Sequence, residues 1–135
     1  MKTFPIAPYN FRLHFTTSKK EMQKAYNDLY KDTLDLDCVG ISWRNGYDCY
    51  IGVFDTGPSC IDTLGHEVAH CVIGMSRFIG YNPGGEEEPF AFLTGYITKL
   101  LMFAHPKFKE AMNEPVGIRA GNGGRRAPKG DGPHQ

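Results

Sequence analysis

Residues 59–79 read SCIDTLGHEVAHCVIGMSRFI, and their periodicity decides how the rest of the chain is organised. On a helical wheel at 100° per residue, Ile61, Leu64, Val68, Val72, Met75 and Ile79 fall on one apolar stripe. His66 and His70 lie nearly opposite that stripe, one turn apart and on a single face. Two imidazoles at i and i+4 reach one ion, so the pair has the spacing of zinc ligands. Glu67 projects between the stripe and the histidine face, where a general base beside the metal belongs. Cys71 follows His70 directly, but neighbours on a helix point about 100° apart, so it is not assigned to the metal.

Working outward, Asn45-Gly46 sits between two runs rich in β-formers, Cys38 to Trp43 and Tyr47 to Phe54. This pattern predicts a hairpin with Asn45 and Gly46 at the centre of a type I′ turn. Upstream, Phe11 to Phe15 alternates apolar and polar residues, as a half-buried strand does. Ser18 and Glu21 form a capping box that opens a helix over about 19–32. Ser59 and Asp62 are expected to cap the central helix, and Gly80 to end it in the left-handed position. A further helix, opened by Glu86-Glu87-Glu88-Pro89, runs to about Ala104, and one short turn follows through Met112.

The expected order is therefore β-α-β-β-α-α, an α+β domain with helices packed on a small sheet. It spans residues 1–116. Residues 117–135, rich in glycine and arginine and free of aromatics, are expected to be a disordered tail. Lys plus Arg balances Asp plus Glu at 15 each, so no global field recruits nucleic acid or an anionic membrane. Arg119, Arg125, Arg126 and Lys129 make the tail basic, yet too weakly to argue for phosphate binding. The first residues lack the apolar core of a signal peptide and no apolar run would span a bilayer, which points to the cytoplasm. Four cysteines, at 38, 49, 60 and 71, match no CxxC zinc pattern and read as free thiols.

A hairpin, then His66-Glu67-Val68-Ala69-His70, then a second helix opening with glutamate resembles the gluzincin branch of the zincin metallopeptidases. The resemblance covers about residues 38–104. It implies a minimal zincin-like fold and a third zinc ligand among Glu86, Glu87 and Glu88. Glu88 leads, because Glu88-Pro89-Phe90-Ala91 matches the family's E-x-x-A run. The pattern around Glu88 to Ile97 is also similar to short HExxH proteins encoded by bacteriophages, which would place the chain in a host cytoplasm. Phe92 stands where the family often has an aspartate that orients a ligand histidine, and Asp62 is the nearest replacement. Tyr96, near the same helical face as Glu88, is a possible donor to a developing oxyanion. His14 and His105 have no sequence partner and read as structural or exposed.

The function implied is hydrolysis of peptide bonds in a peptide or protein substrate, by a zinc-bound water with Glu67 as general base. An extended substrate would add a strand to Tyr47 to Phe54 if that run lies at the sheet edge. The competing expectation is a non-catalytic zinc module that binds a partner protein, motivated by the small size and the lack of a domain to form substrate pockets.

Overall fold

A computed structural model describes residues 1–82 and 87–114. The expectations for the basic tail, for Glu86 and for the helix stop at 83–85 lie outside those residues. The fold is α+β: strands β1 (Lys2–Ile6) and β2 (Phe11–Thr16), helix α1 (Lys19–Tyr30), strands β3 (Gly40–Asn45) and β4 (Asp48–Val53), then helices α2 (Ser59–Phe78), α3 (Glu87–Ala104) and α4 (Pro106–Asn113). The strand order is β1-β2-β4-β3, with β2 and β4 parallel and the outer pairs antiparallel.

Two elements exceed the sequence expectation. β1 is a real edge strand despite Pro5, because an edge tolerates a residue that cannot donate to the ladder. α4 is a full helix rather than a single turn, with His105 at its N-cap accepting from the Lys107 amide through Nδ1 at 3.1 Å. The Lys107 ammonium donates to the carbonyls of Val53 and Asp55 and so fastens α4 to the end of β4.

The hairpin turn is displaced by one residue from the expected position. Asn45 pairs with Asp48, so Gly46 and Tyr47 are the central residues, and among non-glycine residues neither Asn45 nor Tyr47 has a positive φ. Gly46, at φ 60°, takes the first central position, as a type II′ turn requires. β4 lies inside the sheet between β2 and β3, so the condition for strand addition to Tyr47 to Phe54, a place at the sheet edge, is not met. β3 has that place instead.

The two faces of the sheet are covered differently. Phe11, Leu13 and Phe15 of β2 and Cys49, Ile51 and Val53 of β4 point inward, where α2 lays Leu64, Val68, Val72 and Met75 against them. Burying each such aliphatic side chain stabilises the fold by about 1.5–3 kcal/mol relative to leaving it in water. Leu93, Ile97, Leu101 and Ala104 turn α3 onto the same core, and Phe108 brings in α4. On the outer face Trp43 and Tyr50 stack in parallel at 3.8 Å, and Tyr50 stacks on His14 at 4.5 Å. Tyr26 and Tyr30 of α1 close edgewise on Trp43.

α1 begins as expected, with the Glu21 amide donating to Ser18 Oγ at 3.2 Å. Its box is not reciprocal, because the Glu21 carboxylate accepts from Thr16 Oγ instead. α2 starts differently: Pro58 holds the N-cap with helical dihedrals and no side-chain bond, while the Ser59 hydroxyl donates to the Thr56 carbonyl. Asp62 is only an exposed first-turn acid, favourable to the helix dipole.

Candidate metal centre

α2 is held by its apolar stripe in the rotation that leaves His66 and His70 exposed on the opposite side. Their Nε2 atoms face each other at 3.1 Å, with ring centroids 4.7 Å apart. Two nitrogens bound to one tetrahedral zinc, each at roughly 2.0–2.1 Å, stand about 3.3 Å apart. The pair therefore fits zinc after an opening of a few tenths of an ångström.

Glu67 sits beside the pair and is only 7% exposed. Its carboxylate takes no hydrogen bond or ion pair from another described residue, and it lines a cleft of about 570 Å³. The cleft lies between α2 and β3. One wall carries His66, Glu67, His70, Cys71 and Gly74, and the other carries Gly40, Ser42 and Arg44. The walls meet at Gly40, where an added Cβ would stand 2.5 Å from Thr63 Cγ2 and 3.0 Å from Glu67 Cγ. Only glycine allows the strand this near the helix.

The wall formed by β3 was missed from sequence, although its signal is plain. In Gly40 to Asn45 the bulky Ile41 and Trp43 point to the outer face, in register with Gly52 and Tyr50. Gly40, Ser42 and Arg44 alternate with them and must face α2. A strand with its small and polar residues on the helix side marks a cleft rather than a core.

Other expectations are placed elsewhere. Among the described residues no group of three His, Cys, Asp or Glu side chains could hold a metal, so Glu88 does not join His66 and His70. α2 continues from His70 to Phe78, about 12 Å of helix, before α3 begins. With Leu93, Ile97 and Leu101 turned to the core, Glu88 is exposed in the first turn of α3, as is Glu87. Tyr96 shares that outer side: it stacks parallel to Phe92 at 6.0 Å and lines a separate groove with Lys2, Phe4 and Phe103. Asp62 makes no hydrogen bond to His66 among the described residues.

Cys71 lines the same cleft but is buried, beside Cys49. The Cys49 thiol beside it, and then burial, push the Cys71 thiol well above its ordinary pKa, which keeps it protonated. All four cysteines are free thiols, three of them buried.

His14 is neither isolated nor simply exposed. Its Nδ1 meets Thr3 Oγ at 2.9 Å and its Nε2 meets Asp48 Oδ1 at 2.8 Å. Arg12 donates to Asp48 Oδ2 at 2.7 Å. Burial pushes the Asp48 carboxyl up, but the hydrogen bonds from His14 and Arg12 outweigh it and hold it below the usual carboxylate range. This network is on the outer face, across the sheet from the cleft.

No protein-family model, curated protein or solved structure matches this chain. Among the described residues, no helix is long and apolar enough to cross a membrane.

Proposed function

We propose that this chain is a zinc-dependent peptidase of the gluzincin-like kind, working in the cleft between α2 and β3. One observation carries the reading: two converging imidazoles and, beside them on the helix, a buried carboxylate with no hydrogen-bond or ion-pair partner among the described residues line a cleft opposite a free strand edge. His66 and His70 would hold the metal through Nε2. Zinc, when bound, supplies a Lewis acid for the peptide carbonyl and makes water a better nucleophile near neutral pH.

The remaining roles belong to the chain. The edge of β3 pairs with the backbone of an extended substrate and orients it along the cleft. Glu67 takes a proton from the attacking water as the carbon–oxygen bond forms. It returns that proton to the nitrogen as the carbon–nitrogen bond breaks. Its partial burial strengthens both interactions by keeping bulk water away.

A second reading, a non-catalytic zinc module that binds a partner protein, is favoured by a different observation. Catalytic zinc sites use three protein ligands, and the described residues bring only two together. Glu67 separates the readings. Glu67→Gln is nearly isosteric and should keep fold and zinc content, while an amide cannot accept the proton. Cleavage of an unstructured peptide library should fall about 10²–10⁴-fold. Equal cleavage by both proteins would sink the mechanism. No cleavage by either, with partner binding unaffected by the substitution, would establish the non-catalytic reading.

A further inference from the structure

Among the described residues Arg44 is the one Lys or Arg on the cleft wall, and the metal chemistry does not use it. Its guanidinium lies 4.3 Å over the Phe78 ring, and Nη1 donates to the Gly46 carbonyl at 3.0 Å. These two contacts fix the group at the open strand edge without neutralising it. Among the described residues no carboxylate pairs with Arg44, although its neighbour Arg12 on the other face of the sheet has Asp48. An Arg that is positioned by an aromatic face and a backbone carbonyl keeps donors for a planar anion.

Gly74 sets the location. A Cβ there would meet Arg44 Nε at 3.9 Å, so the guanidinium lies beside the turn of α2 that follows His70. Gly74 is four residues past His70, about 6 Å along the helix. An extended peptide advances about 3.3 Å per residue, so that distance corresponds to two residues of substrate.

We propose that Arg44 forms a carboxylate-binding subsite of the cleft, which selects substrates bearing an acid about two residues from the bond over the histidines. This inference rests on the peptidase reading for the position of that bond, but the subsite itself is a matter of binding. β3 runs alongside α2 in the same direction, with Gly40 near Thr63 and Arg44 near Gly74. A substrate antiparallel to β3 brings its N-terminal portion to Arg44, and the acid is then an Asp or Glu side chain upstream of the cut. A substrate parallel to β3 brings its C-terminal carboxylate there instead.

The test uses short Ala-Ser peptides blocked at both ends, with one Asp at successive positions, beside their Asn counterparts. A second arm compares the same peptides with a free or an amidated C-terminus. Where the unsubstituted chain cleaves them, kcat/KM is compared; where it does not, the peptides persist and Kd is measured by calorimetry. The expected result is at least a tenfold preference for acid over amide in one arm. Arg44→Gln should abolish it, and Arg44→Lys, which keeps charge without the fork, should restore part of it. Circular dichroism of both variants checks that the fold is intact. Cleavage with no acid preference overturns the subsite and leaves the peptidase reading standing. Acid-selective binding without cleavage does the reverse. No binding and no cleavage in either arm, or a preference that survives Arg44→Gln, also overturns the subsite.

Discussion

Gly40 on β3 and Glu67 on α2 are packed so closely that a single added carbon on the strand would stand 3.0 Å from the glutamate Cγ. The same carbon would meet Thr63 Cγ2 at 2.5 Å, a distance real Cβ atoms do not show, so helix or strand must move. Gly40→Ala should therefore cost about 1–3 kcal/mol, the usual penalty for forcing volume into a packed contact. Zinc content should persist, because the atoms that an added Cβ at Gly40 would meet belong to Thr63 and Glu67, not to His66 or His70. A urea midpoint equal to that of the unsubstituted chain would show that the contact relaxes freely.

The histidine pair gives the most direct prediction. His66→Ala and His70→Ala should each lose bound zinc, since either leaves one imidazole where two converge at 3.1 Å. Cys71→Ala should keep it, because that thiol is buried beside Cys49 and the imidazole pair alone converges. Metal analysis of the three purified variants decides the matter, and zinc lost from Cys71→Ala would make the thiol a third ligand.

Glu88 divides the resemblance from the geometry. The E-x-x-A match implies a zinc ligand, whereas the structure leaves Glu88 as an exposed first-turn acid. We expect Glu88→Ala and Glu87→Ala to change zinc affinity alike, by less than about threefold. Helix-dipole contributions of roughly 0.3–1 kcal/mol to stability are then all these side chains supply. A tenfold or greater loss confined to Glu88→Ala would mean that α3 turns its first residues toward the histidines when metal binds.

That division reflects what a sequence can carry. The stripe Leu64, Val68, Val72 and Met75 was legible because helical periodicity is local, and it fixed the facing of His66, Glu67 and His70 without reference to another element. The facing of α3 was not, because its mean apolarity leaves several rotations open. Only packing of Leu93, Ile97 and Leu101 on the core turns Glu88 and Tyr96 away. The sheet order was equally hidden. β2 pairs in parallel with β4, past an intervening helix and strand, and no hairpin signal encodes that crossover. It is the reason β3 rather than β4 has the open edge, and the reason Arg44 reaches the cleft.

The crossover also creates the last prediction, since it sets Arg12 opposite Asp48 and carries His14 to within 2.8 Å of the same carboxylate. The hydrogen bonds from His14 and Arg12 overcome the upward push of burial, so the folded-state pKa of Asp48 lies below its unfolded value of about 3.9. A depressed carboxylate contributes stability that is present above the unfolded pKa and lost as pH falls through the folded one. Asp48→Asn should therefore destabilise the chain at pH 7 by about 1–2 kcal/mol, a hydrogen bond to a charged group discounted for the exposure of Arg12. The gap between the two proteins should hold down to about pH 4 and close as pH falls further. Urea titrations of both proteins at pH 7, 5, 4, 3 and 2 measure it. Glu21, whose carboxyl is lowered by its bond from Thr16, remains in both proteins and cancels from the difference. A gap that stays constant to pH 2 would mean that Asp48 acts through packing alone, and a gap that widens on acidification would reverse the sign of the linkage.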